Sequence, residues 1–209
     1  MDEASFGELL CHALRRNEPY PTHLDSVHYR NIPQYGRRLG EALQGNHCVS
    51  SMYLDVNSLL GFDNEEEGTD NSCVALLLRY IRESEAMREV VLRGDGQDGR
   101  VELIATTLVP LFLLAIAENP CIVEFNLAMM LNMEPFAEAL SLLLRTTRSL
   151  KTSSITLGPF QKPASRELVA EAFGANQTLD TLTFTDNSDT DTLEYVLLCL
   201  GSHPCLREL

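Results

Sequence analysis

A nine-residue pattern, L-x-x-L-x-L-x-x-N, returns along this chain and constrains its fold more than any other feature. Leu179-Asp-Thr-Leu182-Thr-Phe184-Thr-Asp-Asn187 carries it with Phe at one site, and Val49-Ser-Ser-Met52-Tyr-Leu54-Asp-Val-Asn57 adds Leu59 two residues on. Met87-Arg-Glu-Val90-Val-Leu92-Arg-Gly-Asp95 has Asp for Asn. Ile122-Val-Glu-Phe125-Asn-Leu127 fits until Met130 takes the Asn site. Leu150-Lys-Thr-Ser153-Ser-Ile155 has Ser153 at an apolar site and Gly158 at the Asn site, and Leu206-Arg-Glu-Leu209 is half a motif. The starts at Val49, Met87, Ile122, Leu150, Leu179 and Leu206 are separated by 38, 35, 28, 29 and 27 residues. The two longer gaps contain loop-like insertions, Asp63 to Asp70 and Asp95 to Gly99. Counting back 29 residues from Val49 reaches Tyr20, which gives a degenerate leading repeat with His23 and Asp25 at its apolar sites.

A second pattern runs in phase with the first. Asn46-His-Cys48-Val49, Asn119-Pro-Cys121-Ile122, Thr147-Arg-Ser149-Leu150, Asn176-Gln-Thr178-Leu179 and His203-Pro-Cys205-Leu206 each place a polar residue, any residue, a small Cys, Ser or Thr, and an aliphatic just before a strand motif. Such composition marks a tight helix-to-strand turn. Between strands lie helix-like runs: Pro135 to Arg145 sets Phe136, Leu140, Leu143 and Leu144 on one face, and Ala164 to Phe173, Thr192 to Leu200 and Pro33 to Gln44 are similar. Ser5-x-x-Glu8 and Asp191-x-x-Glu194 have the spacing of helix starts.

One strand and one helix cannot bury their own apolar faces, whereas copies stacked side by side share a continuous core. Strands pair at about 4.8 Å and helix axes need roughly 8–10 Å, so such a stack curves with its strands inside. The Asn sites, Asn57 and Asn187 with Asp95 as a substitute, are placed to bond backbone groups of the bend; Met130 and Gly158 are not. The unit of 28–29 residues resembles the ribonuclease-inhibitor-like class of leucine-rich repeats, most clearly from Asn119 to Leu209 and more weakly from Leu39 to Asp95. The resemblance implies an α/β fold for residues 1–209 as a single domain: a right-handed solenoid, or horseshoe, with a parallel concave β-sheet and convex helices. It also implies protein–protein recognition. Because Leu209 stops within a strand motif, the reading lacks a C-terminal cap and predicts a fragment of a longer repeat protein or an end covered by another chain.

Composition narrows the function. The 209 residues carry a formal net charge of −14, which disfavours a binder of nucleic-acid phosphates and suits a basic protein partner. The opening MDEASFGELLCHALRR lacks the pattern of a signal peptide. Leu103 to Ala117, bounded by Arg100 and Glu118 and containing Pro110, is shorter than the ~18–20 residues that span a bilayer and reads as a buried helix.

No chemical motif survives scrutiny. Gly94-Asp-Gly96-Gln-Asp-Gly99 matches the dinucleotide fingerprint, with Glu124 as ribose acid, yet two aspartates sit where pyrophosphate belongs and the preceding strand is charged. Cys48, Cys121 and Cys205 share one turn position and stand roughly 10 and 14 Å apart, beyond the ~7 Å between disulfide Cα atoms. Cys11, Cys73 and Cys199 fall in helix-like segments, and no C-x-x-C occurs, so reduced thiols in a cytoplasmic protein are expected. His12, His23, His28, His47 and His203 form no metal-binding pair, and Asn187-x-Asp189-x-Asp191 lacks the Gly and acid of a calcium loop. No catalytic residue, cofactor or metal is expected.

Apolar sites one, four and six face the core, so the residues between them face the concave side. These are Ser51, Tyr53 and Asp55; Glu89, Val91 and Arg93; Glu124, Asn126 and Ala128; Thr152, Ser154 and Thr156; Thr181, Thr183 and Thr185. Tyr53, Asp55, Glu89, Arg93, Glu124 and Asn126 are the candidate contacts, Tyr and Arg being frequent hot spots. The expected function is a non-catalytic interaction scaffold. Regulation of an enzyme, such as a Ran-type activation of a small GTPase, is the alternative, although no catalytic-assist residue can be matched to this chain.

Overall fold

The computed structural model describes residues 3–19, 21–25, 36–56, 73–94, 99–129, 133–158, 160–186, 190–201 and 203–208. Strand and helix alternate along it: α1 (Glu3–Arg15), β1 (His23–Asp25), α2 (Gly36–Leu43), β2 (Ser51–Asp55), α3 (Cys73–Glu83), β3 (Glu89–Gly94), α4 (Gly99–Glu118), β4 (Glu124–Met129), α5 (Ala137–Thr146) after a 3₁₀ turn Glu134–Phe136, β5 (Thr152–Leu157), α6 (Pro163–Ala175), β6 (Thr181–Asp186) and α7 (Thr190–Leu200). The six strands form one sheet in chain order, each parallel to the next. Each helix packs on its successor in the same order, so the helices make a second layer.

Apolar spacing explains this arrangement. Val49, Met87, Ile122, Leu150 and Leu179 are buried, and each precedes its strand by two residues. Within the sheet two ladders face the helices: Met52, Val90, Phe125, Ser153 and Leu182, then Leu54, Leu92, Leu127, Ile155 and Phe184. Each full aliphatic burial contributes roughly 2 kcal/mol, and only a neighbouring unit can provide it. Ser153 keeps its place in the ladder because its hydroxyl donates to the Phe125 carbonyl at 2.9 Å. On α5, Phe136, Leu140, Leu143 and Leu144 are buried together, as their spacing predicts.

One carbonyl before each strand accepts two successive amides from the next repeat. Thr22 receives Ser50 and Ser51; Ser50, Arg88 and Glu89; Arg88, Val123 and Glu124; Val123, Lys151 and Thr152; Lys151, Asp180 and Thr181. The series continues with Asp180 receiving Arg207 and Glu208, and Glu208 bridges Thr181 in parallel. The half motif at Leu206 therefore extends the ladder beyond β6.

The turns entering the strands are held by buried amides. The Asn46 Oδ1 accepts the amides of Cys48 and Val49, both at 2.9 Å, while its Nδ2 donates to the Leu14 carbonyl of the preceding repeat at 2.8 Å. Asn176 accepts from Thr178 and Leu179, both at 2.8 Å, and donates to Leu144 at 2.6 Å. Asn119 accepts from Cys121 and donates to Ile81 and Ser84. His203 supplies the acceptor through Nδ1, at 3.2 Å from the Cys205 amide and 2.9 Å from that of Leu206. Cys48 and Cys205 donate their thiols to the preceding turns, at Asn17 and Gln177, and all six cysteines are free.

Three expectations need correction. His23 pairs with Ser51 and Leu24 with Met52, so Pro21, not Tyr20, stands opposite Val49. Strand side chains alternate, and this one-residue shift puts Leu24 in the core and turns His23 and Asp25 to the open face. Helix α1 begins at Glu3, so Ser5 lies inside it rather than capping it, and Asp191 lies in the first turn of α7. Gly158 is buried after β5, while Asn57, Asn187, Asp95, Met130 and the acidic segment 63–70 lie outside the described residues. No helix among the described residues is long and apolar enough to cross a membrane; the apolar run at 103–117 is part of α4 and buries Val109, Phe112, Leu113 and Ile116.

Two predictions follow from the turns. Asn176→Ala removes one acceptor of two amides and one inter-repeat donor at a site 1% exposed, so it should cost about 3 kcal/mol in chemical denaturation. Burial holds the His203 imidazole below its ordinary 6.5. The unfolded chain then binds a proton that the folded one refuses, so the contribution is complete above 6.5 and declines as pH falls below it. His203→Asn should flatten that decline in a series of melts across pH.

Candidate protein-binding site

The register aligns the outward residues in three rows across the sheet. The first holds His23, Ser51, Glu89, Glu124, Thr152 and Thr181. The second holds Asp25, Tyr53, Val91, Asn126, Ser154 and Thr183, and the third Asp55, Arg93, Ala128, Thr156 and Thr185. The alternation that buries sites one, four and six thus brings the proposed contact residues onto one face.

Several are hydrogen-bonded across strands. His23 Nδ1 lies 2.8 Å from Ser51 Oγ, and that hydroxyl donates to Glu89 Oε2 at 2.6 Å. Because the serine proton goes to the carboxylate, the imidazole Nδ1 must donate to the serine. Arg93 Nη1 donates to the Tyr53 hydroxyl at 3.2 Å, so these two candidates form one unit. Asn126 Nδ2 donates to Glu124 at 3.2 Å, while its Oδ1 accepts the Ser154 amide at 3.1 Å. His23 enters this network only through the corrected register, which is why the one-residue error in the leading repeat hid it.

Asp55 is the exception among the candidates. It is only 2% exposed and is held by interactions within the protein. Alternation fixes the face from which a side chain leaves, not the depth at which it ends, and Asp55 closes β2 beside buried Val56.

The face changes character along the sheet. Carboxylates, Tyr53 and Arg93 occupy the N-terminal strands, and hydroxyls fill β5 and β6. Glu89 and Glu124 stand directly opposite each other on adjacent strands. Gly94 closes β3 and Gly99 opens α4, with 95–98 of the glycine motif outside the described residues. Glu124 lies at the beginning of β4, away from the strand end where a ribose-binding acid belongs. Among the described residues no group of three or more His, Cys, Asp or Glu is placed to hold a metal ion.

Comparisons with known proteins find similarity at the level of solved structures. The leiomodin-1 actin-binding site 2 structure is 14% identical, with 92% of this chain and 86% of that chain covered and a TM-score of 0.47. The tropomodulin C-terminal domain from Caenorhabditis elegans is 14% identical, with 94% and 92% covered and a TM-score of 0.45. No protein-family model matches the chain, and no curated protein matches its sequence.

The facing carboxylates give a prediction. Glu124→Lys replaces a like-charge pair with an opposite one and should stabilise the fold by about 0.5 kcal/mol, a gain that shrinks as salt is added to the denaturation series.

Proposed function

We propose that residues 1–209 form one leucine-rich-repeat domain of the ribonuclease-inhibitor-like class that acts, without catalysis, as a scaffold binding another protein through the open face of its sheet. The supporting observation is the network of His23, Ser51, Glu89, Tyr53 and Arg93, tied across β1, β2 and β3. Side chains held in place before binding lose less freedom when a partner arrives. Helices are broader than strands, so a right-handed stack of these units curves and makes this face concave.

The partner fits best as a basic protein surface. The chain carries a net charge of −14, and Glu89 and Glu124 lie side by side on the face. That charge opposes nucleic-acid phosphates. Six free thiols suit a reducing, cytoplasmic setting. The contacts are Tyr53, Glu89, Arg93, Glu124 and Asn126, with His23 added and Asp55 removed.

Affinity capture followed by covalent footprinting tests this reading. A bound partner should shield Glu89 and Glu124 from carbodiimide coupling, and Tyr53→Ala with Arg93→Ala should weaken capture by about 2 kcal/mol or more. Unchanged capture by the double variant, with both glutamates still reactive in the complex, would sink the assignment.

A further inference from the structure

The cross-strand chain on β1, β2 and β3 fixes where the ring hydrogen of His23 lies, and so what that residue offers to a ligand. Ser51 has one hydroxyl proton, and it goes to the Glu89 carboxylate at 2.6 Å. Nδ1 of His23, 2.8 Å from the same serine oxygen, therefore carries a hydrogen whatever the charge of the ring. In the neutral ring the second nitrogen, Nε2, is then bare. The side chain is exposed on the open face, and Nε2 has no hydrogen-bond partner among the described residues. Both donors of this chain are spent inside it, Nδ1 on Ser51 and the hydroxyl on Glu89. What is left for a ligand, Nε2 and the rest of the carboxylate, only accepts. Arginine and lysine are the side chains that only donate.

We propose that Nε2 of His23 receives an arginine or lysine side chain of the partner, and that protonation of this one nitrogen releases it. The proposal rests on the open-face reading and adds to it a contact chemistry and a dependence on pH. Ser51 and Glu89 face the ring along its own row; Asp25 and Tyr53 stand in the next row, and Arg93 is tied to Tyr53. On its other side β1 is the edge of the sheet. Among these groups imidazole is the one chemical type that changes charge between about pH 5 and 8, since carboxylates and phenols titrate outside that window. A proton taken up there goes to Nε2, because Nδ1 already holds one. The bonds to Ser51 and on to Glu89 survive, so the strands keep their places. Only the outward atom changes, from a neutral acceptor to a cationic donor. A basic side chain then loses its acceptor and meets like charge, so the contact is complete with a neutral ring and is lost as pH falls.

Two measurements on the full chain test this. A long-range proton–nitrogen NMR spectrum of the histidine rings at about pH 8 should show the His23 hydrogen on Nδ1 and a bare Nε2. Ser51→Ala should return that ring to a mixture of tautomers. A titration with Nα-acetyl-arginine amide, followed at the amides of residues 22–24 and 50–52, should weaken by about tenfold between about pH 8 and about pH 5.5. His23→Gln, at an exposed position, keeps a neutral acceptor and should bind the probe equally at both pH values. A wild-type ring with its hydrogen on Nε2, an affinity indifferent to pH, or the same pH dependence in His23→Gln would overturn the proposal. The tautomer is read on the protein alone, so failure here is distinct from failure of the open-face reading, which capture by the Tyr53→Ala, Arg93→Ala variant decides.

Discussion

The structure depends on one buried contact repeated at the turns into the strands: an amide side chain whose oxygen closes its own turn and whose nitrogen holds the previous repeat. At Asn46 the oxygen takes the amides of Cys48 and Val49, and the nitrogen takes the Leu14 carbonyl. That same carbonyl already accepts the Asn17 amide, so the two turns share an oxygen. Local geometry and stacking are thereby fixed by a single residue. The aliphatic ladders supply most of the driving force, but they are forgiving of small shifts. The amides are not, because an unmade bond at a buried site costs its full desolvation. Burial drives the units together and the turn amides decide the register at which they meet.

Because register is set unit by unit, the open face brings together residues far apart in the chain. Ser51 and Glu89 are separated by 38 positions and Tyr53 and Arg93 by 40, yet each pair is hydrogen-bonded. Longer gaps between repeats leave the rows undisturbed, since the strands still pair by the same doubly accepting carbonyls. The face can therefore vary in side chains without any change in the architecture that presents them.

Much of the architecture was legible in the amino-acid pattern, because spacing of apolar residues and burial are two descriptions of one constraint. Val49, Met52 and Leu54, or Leu179, Leu182 and Phe184, announce both a strand and the side it buries. Where only one apolar residue marks the strand, as with Leu24, counting by length misplaced the register by a residue, and only pairing with Met52 corrected it. Asp55 was read correctly for its face and wrongly for its exposure, since depth depends on surrounding chain rather than alternation. The turn asparagines were legible as turn formers, but their reach into the preceding repeat was not. A donor's partner 32 or more positions away leaves no trace in a local pattern.

Departures from the repeat carry the most information, because each must satisfy the same buried groups in another way. Ser153, in an apolar ladder, spends its hydroxyl on the Phe125 carbonyl. His203 offers a ring nitrogen where an amide oxygen usually stands, which makes that turn sensitive to protonation when its relatives are not. Thr147 bonds the Leu150 amide through a longer contact of 3.4 Å. Ser84 is different in kind. Tyr80 restores the tie to the preceding repeat through its hydroxyl, in place of an amide at position 84 itself. A repeat protein tolerates such a gap because its neighbours are fastened on both sides by Asn46 and Asn119, and the loss stays local.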